Sequence, residues 1–441
     1  MDCDVAIIGA GVAGLAAAGV LTQSGLPVRC LEATSSVGGR IRTVHDPLCS
    51  FPIELGAEFV HGLPAETWAI VQRAGLHVYE HSSKCHTLAK GQILAESESD
   101  KVFSAAAKSR RRGDESFDQF LRRSRYPAQA KTRAARQVEG FDAARTELIS
   151  LDSLKLEWKA SEEIEGDRSF RIIDGYDSLV HDLLRSIPDW PAVVQLNSVV
   201  ERVKWRKNRV LVTYRNALDD TRQELTCRTL IVTVSLGVLQ GNPSSRGHIE
   251  FDPPPVEALK AANTLILGHA FRVTFHFSDA FWEEDKRLRQ TGFLFSEEKL
   301  FPTWWTTQPL ATPILTGWMA GGAAHSYLKE RSSSFEKEAL ASLRRILGKP
   351  VPRPLSAHFH DWSGDPFFLG AYSYVPTHAI RARGTLAQPV EETLFFAGEA
   401  TETSGNAATV HGAIASGLAT ANRVRNIHRK KPSNSVEKEE V

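Results

Sequence analysis

Cysteine is scarce, long apolar runs are missing, and the charges of the two signs nearly cancel. Each absence excludes something. The five cysteines, Cys3, Cys30, Cys49, Cys85 and Cys227, are odd in number, and no two of them have CxxC spacing. Neither a disulfide framework nor a metal site is expected, and reduced thiols fit a cytoplasmic protein. No uninterrupted apolar run reaches the length of a membrane span, so no transmembrane segment is expected. Met1 to Asp4 run straight into an apolar strand pattern, so no signal peptide is expected. Lys and Arg number 53 against 52 Asp and Glu, a net charge of +1, so no global affinity for nucleic acid is expected. The local exception is the stretch 110–136, with Arg110, Arg111, Arg112, Arg122, Arg123, Arg125, Lys131, Arg133 and Arg136. A solvated helical face or loop is the expectation there, and an anionic partner surface the alternative.

What is present is a chain of 441 residues, 42% hydrophobic, which fits two domains or one large interleaved α/β body. Asp4-Val5-Ala6-Ile7-Ile8 is an apolar run ending at Gly9 and reads as a buried parallel strand. Residues 13–22 read as a helix of small and apolar residues, and Val28 to Glu32 as a second strand, giving a β-α-β unit. Helical periodicity recurs over 66–75 and 176–186. Strands are expected within 195–214 around a turn at Lys207-Asn208, and at Leu230 to Val234, Phe271 to Phe277 and Leu394 to Ala397. Residues 408–424 read as a helix, and the tail 428–441, which lacks apolar residues, is expected to be disordered.

Gly9-x-Gly11-x-x-Gly14 lies between the first strand and helix. Gly9 allows the tight turn, Gly11 the approach of a pyrophosphate, and Gly14, with Ala13 beside it, close packing of helix on strand. The helix N-terminus then offers N–H groups to the anion. Glu32 ends the second strand, where its carboxylate can accept from a ribose diol. FAD and NAD both fit to this point. Val37-Gly38-Gly39-Arg40-Ile41-Arg42-Thr43 follows directly; two glycines allow a second close approach, and Arg40 can neutralise a pyrophosphate. With Glu32 upstream, this order resembles the fingerprint of the flavin-containing amine oxidase superfamily.

Further motifs extend the resemblance over nearly the whole chain. Gly56-Ala57-Glu58-Phe59-Val60-His61-Gly62 is similar to a segment of polyamine and spermine oxidases. Asp174-Gly175-Tyr176, Thr233-Val234-Ser235-Leu236-Gly237, Phe281-Trp282, Trp362 with Gly370-Ala371-Tyr372-Ser373-Tyr374, Leu394 to Thr401, and Thr409-Val410-His411-Gly412-Ala413 follow in the family's order. The last of these also resembles histone lysine demethylases. The resemblance implies an α/β fold: an FAD-binding dinucleotide domain built from 1–75, 190–248 and 388–427, interleaved with an α+β substrate domain built from 76–189 and 249–387. It implies that Glu32 binds the adenosine ribose. It places Gly11, Gly14, Arg40 and Glu399 around the pyrophosphate and ribityl chain, with Gly39 and Gly398 beside them, and Val200 at the adenine. It puts Gly56, Ala57, Glu58, Thr409 and Val410 near the isoalloxazine ring and counts Trp362 among the cofactor-binding residues.

Three departures matter. Tyr372 supplies one wall of the family's aromatic cage, but the stretch facing it, Gly405-Asn406-Ala407-Ala408, has no aromatic. Arg272 stands where the family has a lysine that holds a water at flavin N5, and Arg and Lys are not equivalent. Ala371 stands where covalent relatives place a flavin-linked cysteine, so the FAD is expected to be noncovalent. The implied reaction is oxidation of an amine, with a polyamine of the spermine and spermidine class as leading substrate. Hydride passes from the carbon α to nitrogen to the flavin, water hydrolyses the imine to aldehyde and amine, and electrons go on to O2 or a quinone-type acceptor. His61 is the candidate substrate contact, expected to titrate near neutrality. The acidic group Glu162, Glu163, Glu165 and Asp167 is expected to be a solvated loop, or else a tunnel-mouth anchor for a distant ammonium. Trp304, Trp305 and Trp318 are candidates for tunnel lining or for core. A monoamine or L-amino-acid oxidase remains open. So does a flavin-binding interaction module, which is expected to need recognition domains for which 441 residues leave no room.

Overall fold

A computed structural model describes residues 1–95, 98–110, 113–330 and 335–430. The Val5–Ile8 strand is buried along its whole length, as a central parallel strand flanked on both faces must be. It pairs in parallel with Val28–Leu31 on one side and Thr229–Val232 on the other. Val194–Gln195 and Leu394–Phe396 complete a five-stranded parallel sheet drawn from the start, middle and end of the chain. The helix Val12–Gln23 packs against this sheet and against the helix Val410–Lys430. The packing needs glycine at two points. A Cβ on Gly14 would lie 2.0 Å from the Gly9 carbonyl oxygen, and one on Gly417 would lie 2.2 Å from that of Ala13. The α/β architecture, with a dinucleotide fold joined to an α+β portion, is that of the molecule.

The second portion is organised by a seven-stranded sheet. Its Ala270–His276 strand pairs with Ile314–Ala320, which pairs in turn with Thr303–Trp305. A three-stranded sheet runs Val60–His61, Ser169–Ile172, Val78–Glu80 and carries the His61 segment alongside. Helices Ala65–Ala74 and Asp177–Arg185 and the hairpin of Ser198–Arg206 with Arg209–Asn216 lie where the sequence pattern puts them.

Some boundaries move. The strand expected over 230–234 stops at Val232, because Thr233 turns its hydroxyl back to the Ile8 and Gly9 carbonyls. The last helix runs to Lys430, so His428, Arg429 and Lys430 are helical rather than part of a disordered tail. His428 is tied to Thr229 at 3.0 Å, and three basic groups suit the negative end of a helix dipole. Residues 431–441 lie outside the described residues. In the basic stretch, Arg123 pairs with Glu115 and Arg122 with Asp118. Lys131, Arg133 and Arg136 donate to the carbonyls of Ser124, Ala95 and Ser296. These cations serve the fold; Arg111 and Arg112 lie outside the described residues. Among the described residues, no helix is long and apolar enough to cross a membrane.

Candidate active site

At the nucleotide end, Gly11 caps the first helix with no side-chain hydrogen bond, and no acidic residue stands in the first turn. The helix N-terminus is therefore free for an anion. Gly11 bridges to Gly38, which brings the two glycine turns together. Glu32 is buried; one oxygen accepts from the Ala10 N–H at 2.7 Å and the other from Thr34. Burial raises its pKa against these bonds. A carboxylate has about four acceptor sites, so lone pairs remain for a ribose. Val200 is buried on the neighbouring strand, whose Ser198 N–H donates to the Glu32 carbonyl.

Arg40 pairs with Glu399 at 3.1 Å and donates to the Ala371 carbonyl. Burial alone would push Glu399 up, but Arg40 and then Arg383 overcome it and hold the carboxyl below its ordinary value. Ser373 donates to the same carboxylate at 2.6 Å. One cleft is bordered by Arg40, Thr233, Phe396, Gly398 and Glu399, where the strand ends meet. Carboxyl ends of parallel strands are where such sheets hold nucleotides.

Gly56 leaves no room for a side chain. A Cβ there would sit 1.9 Å from the Arg40 carbonyl oxygen and 3.1 Å from the Trp362 ring, whose N–H donates to Leu55. Two residues on, Glu58 is buried between Arg272, Arg171 at 2.6 Å and the Trp305 N–H at 3.1 Å. Burial would raise this carboxyl, and Arg171 and then Arg272 hold it below its ordinary value. Arg272 also donates to the Gly56 carbonyl at 2.8 Å. It is a buried, pinned cation on the strand facing the Gly56 segment.

His61 and Tyr372 come together through Phe141. The His61 and Phe141 rings are 5.4 Å apart, and the Tyr372 hydroxyl donates to the Phe141 carbonyl at 2.7 Å. Phe141 is 63% exposed, an apolar ring left open beside the half-buried His61 and Tyr372. The expectation that His61 titrates near neutrality is corrected: burial lowers its pKa to about 4, so the imidazole is neutral at physiological pH. His411, which stands in the Thr409-to-Ala413 motif without being singled out as a site residue, shares this fate and feels the His61 charge. Its Nε2 lies 3.2 Å from Asn406 Oδ1. Thr409 bonds inside the chain, donating to the Asn406 carbonyl and accepting from the Gly412 N–H as the cap of the last helix.

Sequence reasoning missed two carboxyls. Asp142 follows Phe141 at the end of the helix Ala128–Phe141, and Glu157 lies on the helix Leu151–Glu163. Burial raises both. Glu157 adds to the rise of Asp142, and Asp142 in turn raises the Tyr372 phenol. No spacing could have found them, since neither stands in a motif. The acidic group is exposed, as expected of a solvated segment: Glu163 pairs with Lys159 and Glu165 with Arg168, and Glu162 and Asp167 also face solvent. Trp304 is core, Trp305 caps Glu58, and Trp318 packs with Tyr372 and Ala371. Ser235, where the family has proline, donates to the Phe368 carbonyl at 2.7 Å. Among the described residues, no group of His, Cys, Asp or Glu could hold a metal.

The sequence profile described as flavin containing amine oxidoreductase matches residues 12–425. The chain belongs to this family. The family's cofactor is a flavin, and Ala371 offers no thiol to link it. This flavin amine oxidoreductase is similar to curated relatives of two kinds. Lysine-specific histone demethylase 1 homolog 2 of Oryza sativa is 28% identical over 96% of the chain and 57% of its own length. Protein FLOWERING LOCUS D of Arabidopsis thaliana is 30% identical over 95% and 54%. The chain thus spans little more than half of these relatives. Polyamine oxidase 4 of Oryza sativa is 26% identical over 96% of the chain and 88% of its own length. Among solved structures, putrescine oxidase bound to putrescine superposes with a TM-score of 0.79 at 22% identity, covering 96% and 99% of the two chains. Cyclohexylamine oxidase from Brevibacterium oxydans gives 0.80 at 19%, covering 97% and 100%.

Proposed function

We propose that this flavin amine oxidoreductase oxidises an amine carrying a second cationic nitrogen, of the polyamine class. The observation behind it is the Asp142–Glu157 pair beside Tyr372. Burial raises both carboxyls and Glu157 adds to the rise of Asp142; a bound ammonium beside them would stabilise their charged forms. Bound FAD supplies the two-electron acceptor that takes hydride from the carbon next to the reacting nitrogen. The chain's residues do the rest. Gly11, Gly14, Glu32, Arg40 and Glu399 hold the cofactor. Tyr372 presents a ring face to the reacting nitrogen. His61 stays neutral and can accept a hydrogen bond from an amine N–H. The apolar surroundings of Phe59 and Phe141 favour the neutral, reactive amine. An amino-acid oxidase would need a free buried arginine for the carboxylate; Arg272 is engaged by Glu58 and Gly56, which weighs against that reading.

The test is anaerobic flavin bleaching with spermine, spermidine, putrescine, benzylamine, L-amino acids and a methylated-lysine peptide. Polyamines are expected to bleach fastest. Asp142→Asn and Glu157→Gln should each lower kcat/KM for the polyamine about tenfold or more, as for a lost hydrogen bond to a charged group of roughly 1.5–3 kcal/mol. Benzylamine should be little affected. Preference for the peptide, or equal losses on benzylamine, would overturn the reading.

A further inference from the structure

Glu58 sits between two guanidinium groups and an indole N–H, all buried. Arg272 reaches it from the Ala270–His276 strand, and Arg171 from the Ser169–Ile172 strand beside the His61 segment. Arg272 lies 5.6 Å from the Trp305 ring centre and Arg171 5.0 Å from that of Phe51, so aromatic faces complete the shell. Two cations thus face one fully ionised carboxylate. The neighbours add little negative charge. His81 is neutral because burial lowers its pKa, Tyr79 is neutral, and burial pushes Glu54 up to about 7. Among the described residues Arg272 Nε has no hydrogen-bond partner, and the second guanidinium, Arg171, has the Tyr79 hydroxyl beside it. A buried cation with an unpaired donor costs several kcal/mol in a merely structural role. Such a cost is typical of a site where charge is wanted.

We propose that Arg171, Glu58 and Arg272 form one electrostatic unit that raises the reduction potential of the bound FAD, with Arg171 supplying the excess positive charge and Glu58 fixing Arg272 against the Gly56 carbonyl. The inference rests on the FAD assignment and not on the identity of the amine. Two electrons and one proton added to a neutral flavin leave it with one negative charge. A fixed positive charge in a dry setting favours that form and needs no rearrangement when the charge appears. Arg171 and Glu58 are positioning residues: both act through Arg272 and the local field.

The potential of the holoenzyme's FAD is measured against a reference dye under anaerobic conditions with no amine present, so failure of the substrate reading leaves this test intact. Arg171→Met should lower the ratio of reduced to oxidised flavin at fixed poise about tenfold, which is about 30 mV for a two-electron couple. Arg171→Lys keeps the charge and should restore most of the shift. Glu58→Gln removes the compensating anion and should shift the potential the opposite way. If Arg171→Met fails to fold, the opposed Glu58→Gln shift and the retained Arg171→Lys potential carry the test. An unchanged potential in Arg171→Met or Glu58→Gln, or an equal fall in Arg171→Lys and Arg171→Met, would overturn the proposal.

Discussion

Acidification should strike this protein first at His61 and His411. Both imidazoles have pKa values lowered to about 4 from the ordinary 6.5, with burial the main cause and, for His411, the His61 charge adding to it. His61 lies between Phe59 and Phe141, and the Ser169 hydroxyl is 3.5 Å from its Nδ1. His411 Nε2 lies 3.2 Å from Asn406 Oδ1, and among the described residues neither ring is paired with a carboxylate. A fall from 6.5 to about 4 corresponds to about 3 kcal/mol per histidine. The folded pKa lies below the unfolded one, so between them the unfolded chain binds more protons. This stability is complete above pH 6.5 and is lost as pH falls toward 4. The rings oppose each other's charging, so the two losses are coupled and not independent. Carboxyls raised by burial, such as Glu54 and Glu139, contribute with the opposite sign, and wild type alone cannot isolate the imidazoles. The assay is therefore denaturant unfolding of the holoenzyme from about pH 7 to about pH 4.5 in wild type, His61→Gln and His411→Gln. Each variant should lose less stability on acidification than wild type, by about 2–3 kcal/mol. Parallel curves for all three proteins would refute the reasoning. They would also remove the claim that His61 meets the amine as a neutral acceptor.

Three further outcomes are expected. Acid precipitation should leave a colourless pellet and FAD, not FMN, in the supernatant. Gly14→Val should abolish flavin retention, since a side chain there meets the Gly9 carbonyl at 2.0 Å before any outer atoms are placed; a yellow pellet would contradict noncovalent binding. Arg272→Lys should change reoxidation of the reduced enzyme by O2. The wild-type guanidinium is held by Glu58 and Gly56 and cannot reproduce a single ammonium–water contact, so the lysine variant should react faster in stopped-flow mixing. Equal rates, with stoichiometric hydrogen peroxide from both, would make the substitution neutral.

Much of the cofactor end was legible because it is local. Glycines at fixed offsets, an acid at a strand end and a second glycine pair describe a turn whose geometry is set within a few residues. The strand and helix periods needed only apolar spacing. The substrate end was less legible. Arg272 could be placed on an alternating strand, but its partners lie 214 and 101 positions away on other segments, directly at Glu58 and through it at Arg171. The acidic run 162–167 drew attention by density and proved to face solvent, because consecutive charges at a helix end can hydrate at little cost.

By itself, the sequence determined the dinucleotide fold, the family and the FAD, since each is written in short motifs whose backbone conformations only certain residues can adopt. It also raised the expectation of three departures from the family pattern, at Arg272, at the stretch 405–408 and at Ala371. Tertiary structure alone decided the charges. Whether His61 is neutral, whether Asp142 and Glu157 share a buried environment, and how two arginines meet over Glu58 all depend on desolvation and on distances between segments far apart in the chain. Desolvation depends on everything that surrounds a group, and no spacing along the chain records it.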